Sequence, residues 1–310
     1  MTRDPDTPLI LGFPEYREPA RRLAAQTGLD YADIDIHTFP DGESRVRLPQ
    51  QLPHQVFLCR SLDQPNRKLV ELELAAAAAL QLGARRLTLV APYLCYMRQD
   101  TAFHPGEAVS QRIIGALLAR RFERLITVDP HLHRTRKLQD AVPVREAIAL
   151  SAAPAMAAYL ERRNDNPLLI GPDEESAQWV KAIATPARLD YAVARKQRRG
   201  DRDVRIRLPE LAVTGRRVVL VDDVVSTGHT LAEAARQLHA RHPASLSVMV
   251  THALLVGDAM QRLQAAGVDD VCSTDSILHA TNRVRLDGLL AAADKALYRT
   301  KNAGRNRVAA

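Results

Sequence analysis

One segment of the sequence, Val218–Leu231, restricts the possible folds of this chain more than any other. It reads VVLVDDVVSTGHTL, so four apolar residues run directly into two carboxylates and a turn of small residues. The apolar positions that follow, Leu231, Ala234, Ala235 and Leu238, have the spacing of a helix. A buried strand, a short loop and a helix start together form a standard phosphate cradle, because the backbone N–H groups there point at the anion.

The loop indicates a phosphate site that differs from a nucleotide P-loop. Gly228 lets the backbone approach a ligand closely or adopt a positive φ, and the hydroxyls of Ser226, Thr227 and Thr230 add hydrogen-bond donors. A P-loop would carry a lysine after its glycine, and none is present here.

The two acids indicate that the bound anion belongs to a sugar. Carboxylates repel a phosphate unless they accept hydrogen bonds from a sugar diol or bind a divalent cation. A cradle for a 5-phosphate, with acids for the 2- and 3-hydroxyls, describes a pentose phosphate. The segment resembles the PRPP-binding loop of type I phosphoribosyltransferases and PRPP synthetases. The resemblance implies that the sugar phosphate is bound by Asp222, Asp223, Ser226, Thr227, Gly228, His229 and Thr230. An ordinary strand–turn–helix with surface acids is the alternative.

Length and composition narrow the functional class. A chain of 310 residues favours two domains. The net charge is +7, but the basic residues are scattered and aromatic residues make up only 4%, so stacking platforms for nucleic acid are scarce. The basic clusters Arg195–Arg205 and Arg120–Arg124 suit anionic small molecules equally well. The three cysteines are far apart and suggest neither a disulfide framework nor a metal knuckle.

No segment has the pattern of a signal peptide or a membrane span. We therefore expect a soluble cytoplasmic protein that binds neither nucleic acid nor a membrane.

Strand-like apolar runs alternate with helical patterns, which predicts an α/β fold with mostly parallel sheets. The predicted strands are Leu9–Phe13, Asp33–Phe39, Val56–Cys59, Leu87–Ala91, Leu125–Val128, Leu168–Ile170, Leu189–Ala194, Val218–Val221, Ser247–Ala253 and Asp270–Thr274. The predicted helices are Arg17–Thr27, Asn66–Leu82, Ser110–Arg120, Ala152–Arg162, Glu175–Ala184, Leu231–Ala240 and Ala259–Ala266. The second half echoes the first, but the identity between them is too low to prove duplication.

Two further segments resemble ATP-binding parts of PRPP synthetases. Phe39–Val46 reads FPDGESRV, similar to a family segment that contacts the ATP of a neighbouring subunit. Ala91–Asp100 reads APYLCYMRQD, close to the family string P-Y-x-x-Y-x-R-Q-D. An arginine can pair with phosphate oxygens or stack on adenine. The resemblance implies that ATP is bound by Asp41, Glu43, Arg98 and Gln99.

Two other strand ends suggest metal binding. Thr127–His131 reads TVDPH, similar to the family's T-V-D-L-H, and Leu168–Asp173 reads LLIGPD, similar to V-V-S-P-D. The resemblance implies Mg²⁺ as cofactor, with His131 and Asp173 as the metal-binding residues. Because Mg²⁺ prefers oxygen ligands and keeps its waters, His131 is expected to act partly through water. His133 is interpreted as a solvent-facing histidine.

The basic stretch Ala194–Arg199, ARKQRR, aligns by position with the family's D-K-R-R loop, where a lysine and an arginine stabilise the transferring pyrophosphoryl group. Lys196 and Arg198 are the matching catalytic candidates, and Arg199 is a further candidate. Here Arg195 replaces the acid and Gln197 an arginine, so a solvated basic loop is the alternative.

The resemblance covers roughly Leu9 to Thr274 and implies two tandem type I phosphoribosyltransferase-like domains, each a mostly parallel sheet flanked by helices. Residues 1–147 would form the ATP side. Residues 148–310 would carry the ribose 5-phosphate loop and a closing C-terminal helix, which itself looks like the last helix of diguanylate cyclases. No GGDEF or GGEEF signature accompanies that helix.

The function implied is ribose-phosphate pyrophosphokinase: a diphosphate transfer from MgATP to the 1-hydroxyl of ribose 5-phosphate, giving PRPP and AMP. A homo-oligomer, a dimer or a multiple of dimers, follows from the same resemblance.

Two alternatives remain open at this point. One is a phosphoribosyltransferase that uses PRPP and a nucleobase. The other is an inactive synthetase-like regulatory subunit, suggested by Pro130 and by His229, which replaces the second glycine of T-G-G-T. A third departure, TAFHPGEAVS at Thr101–Ser110, replaces the basic residues of the phosphate-activated class and resembles archaeal-type synthetases.

Overall fold

The computed structural model describes residues 5–132, 134–198, 204–207 and 212–293. They form two compact units. One comprises the residues up to Leu150 together with those from Asp287 on, and the other is Ser151–Leu286. The sequence placed the boundary between residues 147 and 148 and assigned all later residues to the second domain. The return of the chain to the first unit is supported by a hydrogen bond from Arg22 Nε to Asp287 Oδ1, at 3.2 Å.

The first unit is built on one parallel sheet. Its strands are β1 (Leu9–Gly12), β2 (Asp30–Asp33), β3 (Asp35–Thr38), β4 (Ser44–Arg47), β5 (Gln55–Cys59), β6 (Arg86–Val90), β7 (Arg124–Val128) and β8 (Glu146–Leu150). Its helices are α1 (Arg17–Thr27), α2 (Pro65–Gln81), α3 (Ser110–Ala119) and α4 (Leu138–Ala141). Six strands pair in parallel in the order β2-β1-β5-β6-β7-β8, while β3 and β4 form a separate antiparallel hairpin.

The second unit repeats this plan. Its strands are β9 (Leu168–Gly171), β10 (Tyr191–Val193), β11 (Arg195–Arg198), β12 (Val204–Arg207), β13 (Arg217–Val225), β14 (Ser245–Ala253), β15 (Asp270–Thr274) and β16 (Asn282–Val284). Its helices are α5 (Ala153–Arg163), α6 (Ala177–Ala187), α7 (His229–His239) and α8 (Ala259–Ala265). The parallel order is β10-β9-β13-β14-β15-β16, and β11 pairs with β12 in an antiparallel hairpin.

When the strands are counted within each unit, the two sheets therefore have the same strand order. In each unit a hairpin follows the second strand, which is β2 in the first unit and β10 in the second. This shared topology supports the internal similarity that the sequence only suggested. The predicted α/β architecture, with two mostly parallel sheets flanked by helices, is confirmed. The buried residues of the second unit illustrate this architecture. β13 is buried at Val218–Val221, and α7 buries the face whose helical spacing was predicted, Leu231, Ala234, Ala235 and Leu238.

Several strands were missed or misplaced by the sequence patterns. β8 and β16 were not predicted, because they lie at sheet edges where a strand does not need a continuous apolar run. The predicted strand Asp33–Phe39 is in fact the end of β2 followed by the separate strand β3. The predicted strand Val218–Val221 continues to Val225, because β14 pairs alongside it as far as Ala253. The two acids consequently lie within a strand.

All three cysteines are buried, and burial raises the pKa of the Cys95 thiol to about 12 and that of Cys272 to about 11. Within the described ranges, none of the helices combines the length and the hydropathy that a bilayer crossing requires.

Candidate active site

The acid pair lies near the carboxyl end of β13. Asp223 is 3% exposed, whereas Asp222 is half-buried. The backbone N–H of Asp223 donates to Asp222 Oδ1 at 3.0 Å, which fixes the orientation of the first carboxylate. Both acids lie in a strand that pairs with β14 as far as Val225, whereas its pairing with β9 ends at Leu220, so they are positioned more rigidly than surface loop acids.

A third carboxylate acts on this pair. The pKa of Asp222 is raised well above its usual range, first by burial and then by the negative charges of Asp223 and Asp173. Asp173 follows β9, and β9 lies next to β13 in parallel, with Ile170 opposite Leu220. The carboxyl ends of neighbouring parallel strands meet at one edge of the sheet, which explains why these acids share an electrostatic environment.

Asp173 also has a structural role that the sequence did not reveal. Its Oδ1 accepts hydrogen bonds from the N–H groups of Glu175 (3.1 Å) and Ser176 (3.3 Å), and so caps the 3-10 turn Glu174–Ser176. This capping holds the carboxylate close to the acid pair.

The small-residue loop follows directly after β13. Gly228 has φ +74° and caps the start of α7, a conformation that favours glycine. No side chain caps this helix, so its first N–H groups remain available to an anion. Thr227 and His229 are exposed, and His229 Nδ1 lies 2.9 Å from Thr227 Oγ1. The histidine that replaces the family glycine is thus engaged with the loop hydroxyl.

The equivalent place in the first unit is built differently. Gly12 lies opposite Cys59 in β5, so the next residue, Arg60, occupies the position that Asp222 has within β13. Its side chain is fully buried: Nε donates to Glu15 Oε1 at 2.6 Å, Nη1 donates to the carbonyl of Lys68 at 3.0 Å, and Nη2 donates to Glu71 Oε2. A buried ion-pair network fills this place instead of an open acid pair. A lone arginine after a strand gives no signal of its partners, so the sequence does not predict this network.

The predicted ATP residues Asp41 and Glu43 lie at the exposed tip of the β3–β4 hairpin. The N–H of Phe39 donates to the carbonyl of Glu43 at 2.8 Å, and the N–H of Glu43 donates to Asp41 Oδ1 at 3.1 Å. Gly42 turns the chain with φ +92°. The tip is tightly built, yet its acids project away from the unit's core.

The hairpin is connected to the buried network. Ser44 Oγ donates to Glu71 Oε1 at 2.8 Å. The other carboxylate oxygen of Glu71, Oε2, accepts the hydrogen bond from Arg60 Nη2. The base of the exposed hairpin is thereby anchored to α2.

The other predicted ATP residues follow β6. Arg98 is exposed. Gln99 is half-buried, and its Oε1 accepts from Ser110 Oγ at 2.5 Å, which leaves its NH₂ group for a ligand. The next residue, Asp100, is buried; burial disfavours its charged form, but hydrogen bonds and the charge of Arg134 outweigh this and hold the pKa of Asp100 below its usual range. Arg98 and Gln99 are therefore carried on a firmly anchored loop.

His131 follows β7 in the first unit and is half-buried. Just before it, Asp129 has φ +36° and its N–H donates to the carbonyl of Leu150 at 2.8 Å. A non-glycine residue with positive φ is uncommon, and such strain concentrates at functional sites. His131 belongs to the first unit and Asp173 to the second. His133 lies outside the described residues.

Lys196 and Arg198 lie in β11, where their backbones pair with Ile206 and Val204 of β12. The predicted basic loop is therefore, at these positions, one strand of a hairpin. Arg199 lies outside the described residues.

Among the side chains that the structure describes, no group of three or more His, Cys, Asp or Glu residues has the arrangement of a preformed metal centre. The carboxylates near Asp222 still offer the oxygen ligands that Mg²⁺ prefers. Mg²⁺ usually keeps several waters and takes substrate phosphates as ligands, so it does not require an all-protein cage.

Known proteins resemble this chain over nearly its whole length. The N-terminal domain of ribose phosphate pyrophosphokinase matches residues 9–121, and the phosphoribosyl transferase domain matches residues 145–282. The ribose-phosphate pyrophosphokinase of Methanopyrus kandleri is 36% identical over 279 residues, which is 89% of this chain and 94% of that protein. That of Methanosarcina acetivorans is 33% identical over 290 residues, covering 93% of this chain and 99% of the relative.

A crystal structure of phosphoribosylpyrophosphate synthetase from Mycobacterium smegmatis has the same fold. It superposes with a TM-score of 0.79 and covers 95% of this chain and 100% of that one. The two sequences are 22% identical, so this likeness concerns the fold.

Proposed function

Because the chain belongs to the ribose-phosphate pyrophosphokinase family, we propose that it transfers the β,γ-diphosphate of ATP to ribose 5-phosphate, giving PRPP and AMP. In this reaction the 1-hydroxyl oxygen bonds to the β-phosphorus and loses its proton. The bond from that phosphorus to the bridging oxygen breaks, and AMP leaves. Such a transfer depends mainly on positioning the reactants and neutralising charge.

The observation that carries the proposal is the acid pair within β13 followed by a loop whose helix has no side-chain cap. The N–H groups of Ser226–Thr230 suit the 5-phosphate. Asp222 and Asp223 suit the sugar hydroxyls, because carboxylates accept hydrogen bonds from a diol, and the hydroxyls would offset the burial and the neighbouring negative charges that raise the pKa of Asp222. A phosphoribosyltransferase would share this loop but would not need the segments that resemble an ATP site.

The ATP side is proposed to lie in the first unit. Arg98, exposed on its anchored loop, would pair with phosphate oxygens or stack on adenine, and the Gln99 NH₂ group would donate to the base. Asp41 and Glu43 project from the hairpin tip, which suits a contribution to the ATP site of a second copy of the chain. We therefore propose a homo-oligomer whose smallest active unit is a dimer.

Mg²⁺ fits the donor chemistry of the site. On the resemblance of their segments to those of the family, His131 in the first unit and Asp173 in the second are each proposed as a Mg²⁺-binding residue, His131 directly or through water. When bound, the ion neutralises charge on the phosphate oxygens. Asp173 is already oriented by the capping hydrogen bonds to its Oδ1.

Lys196 and Arg198 are proposed to neutralise the charge that develops on the transferring diphosphate. Their support is the resemblance of Ala194–Arg199 to the family loop, together with the position of β11 in the hairpin that follows the second strand of the unit. Because both substrates are cytoplasmic metabolites, we propose that the protein acts in that compartment.

The test is a coupled assay on the purified protein. AMP formation from ATP that requires both Mg²⁺ and ribose 5-phosphate is the expected result. PRPP consumption that requires a nucleobase would instead support the phosphoribosyltransferase alternative. Absence of both activities in the purified homo-oligomer would support the regulatory-subunit alternative.

A further inference from the structure

Three consecutive carbonyl groups of the phosphate loop are bound from one side. The carbonyl of Val225 accepts hydrogen bonds from the N–H groups of Leu254 and Leu255, both at 3.0 Å. The carbonyl of Ser226 accepts from the N–H of Val256, also at 3.0 Å. The third carbonyl, that of Thr227, accepts from Nη1 of Arg262. The first three donors are backbone groups that follow β14, whereas the fourth is a side chain of α8.

In a trans peptide the carbonyl and the following N–H point in opposite directions. The hydrogen bonds hold these carbonyls toward the segment between β14 and α8. The N–H groups of Ser226, Thr227 and Gly228 therefore point to the opposite side. Among the described residues, these three N–H groups have no hydrogen-bond acceptor. Successive N–H groups that converge in this way form an anion-binding concavity.

Arg262 is itself held in place. Its Nη2 lies 2.8 Å from both carboxylate oxygens of Asp258, one helical turn earlier, and its side chain is only 21% exposed. The guanidinium of Arg262 thus links the carboxylate of Asp258, at the start of α8, to the carbonyl of Thr227 in the loop. A lysine ammonium lacks this planar fork and cannot reproduce both contacts in the same geometry.

We propose that Arg262 is a positioning residue for the 5-phosphate cradle: by holding the carbonyl of Thr227, it keeps the N–H of Gly228 directed at the phosphate. This role rests on the proposed function, since it assigns the cradle to ribose 5-phosphate. Arg262 acts through the backbone, so its contribution is to the affinity for the phosphate group and not to ATP binding.

The first experiment compares Arg262→Ala with the wild type in steady-state kinetics. We expect KM for ribose 5-phosphate to rise about 10-fold, the factor that corresponds to one lost hydrogen bond to a charged group. KM for ATP should stay within about twofold. Inorganic phosphate, which lacks the sugar hydroxyls and probes the cradle alone, should have a Ki that rises in parallel. Arg262→Lys should recover only part of the loss.

A matched control is Arg236→Ala. Arg236 lies on α7, and its guanidinium pairs with Glu233 Oε2 at 2.9 Å instead of with the loop carbonyls. This variant should leave both KM values and the phosphate Ki unchanged. If Arg262→Ala does not fold, Asp258→Asn tests the same idea, because it releases one side of the guanidinium and should raise the phosphate Ki to a smaller extent.

Calorimetry with inorganic phosphate separates this role from the proposed function. Weaker phosphate binding to Arg262→Ala than to the wild type would support the role of Arg262 even if the wild type made no AMP. Equal phosphate affinity of the two proteins, or KM values for both substrates that rise together, would overturn it. Undetectable phosphate binding to the wild type would overturn the cradle and, with it, the role of Arg262.

Discussion

Replacing Gly228 with alanine tests whether the loop backbone itself binds the phosphate. Gly228 has φ +74°, and an added Cβ would meet its nearest neighbours, the Ala259 carbonyl and Leu263, at 3.6 Å, which is an ordinary contact. The substitution therefore acts through the backbone and not through a clash. The left-handed conformation disfavours an L-residue by about 1–2 kcal/mol.

Gly215 provides a matched control in the same unit. It has φ +71°, and a Cβ there would meet nothing within 4 Å. Gly215 lies before β13, at the opposite end of the strand from the acid pair. The Gly215→Ala and Gly228→Ala variants should lose similar stability, with a fall in Tm of roughly 2–4 °C for each kcal/mol.

The two variants should differ in substrate affinity. Alanine at position 228 relaxes by rotating the peptide that joins it to Thr227, and this turns an N–H away from the cradle. We expect KM for ribose 5-phosphate to rise by about tenfold in Gly228→Ala, the effect of one lost charged hydrogen bond. KM should be unchanged in Gly215→Ala. The assays are thermal unfolding and initial rates at saturating ATP. A lowered Tm with unchanged KM in Gly228→Ala would refute the assignment of the loop.

Three further predictions concern the other proposed roles. Lys196→Ala should lower kcat on the order of 10²-fold with little change in KM, because the lysine charge is needed mainly in the transition state; rapid kinetics showing a change in KM alone would contradict its assignment. Asp222→Asn should abolish affinity for ribose 5-phosphate in calorimetry, yet stabilise the unliganded protein near pH 7 by about 1 kcal/mol. Burial and the negative charges of Asp223 and Asp173 raise the pKa of Asp222 in the folded protein above its unfolded value. The folded state therefore binds a proton more tightly than the unfolded state. Wild-type stability consequently falls as the pH rises from the ordinary carboxyl pKa through the raised pKa of Asp222. Urea unfolding at several pH values should show that decline in the wild type and a weaker one in the variant, and parallel curves would argue against it. Finally, mixing the impaired Glu43→Ala and Lys196→Ala subunits should restore part of the activity after exchange, and no rescue despite proven exchange would exclude a shared ATP site.

The sequence patterns predicted the parts of the site that are continuous in the chain. The segment from β13 to α7 is recognisable because its burial, its glycine and its helical spacing are all local properties. The hairpin that carries Asp41 and Glu43 is likewise local, since its turn is closed by hydrogen bonds between residues a few positions apart.

The supports of the site could not be predicted in this way. Arg262 contacts Thr227 across 35 positions of sequence, and Asp173 influences Asp222 from a neighbouring strand. The buried pairing of Arg60 with Glu71 depends on how α2 packs over β5. Such partners become visible only when separate elements are brought together.

The sequence by itself determined the alternation of strands and helices, the family and the loop that suits a sugar phosphate, because periodicity and turn chemistry are short-range. The tertiary structure alone decided which units the residues join, including the return of Asp287 to the first unit. It also decided which charges share an environment and which way the loop N–H groups point. The physical reason is that electrostatic coupling and peptide orientation depend on distances between elements, and the order of residues along the chain does not specify those distances.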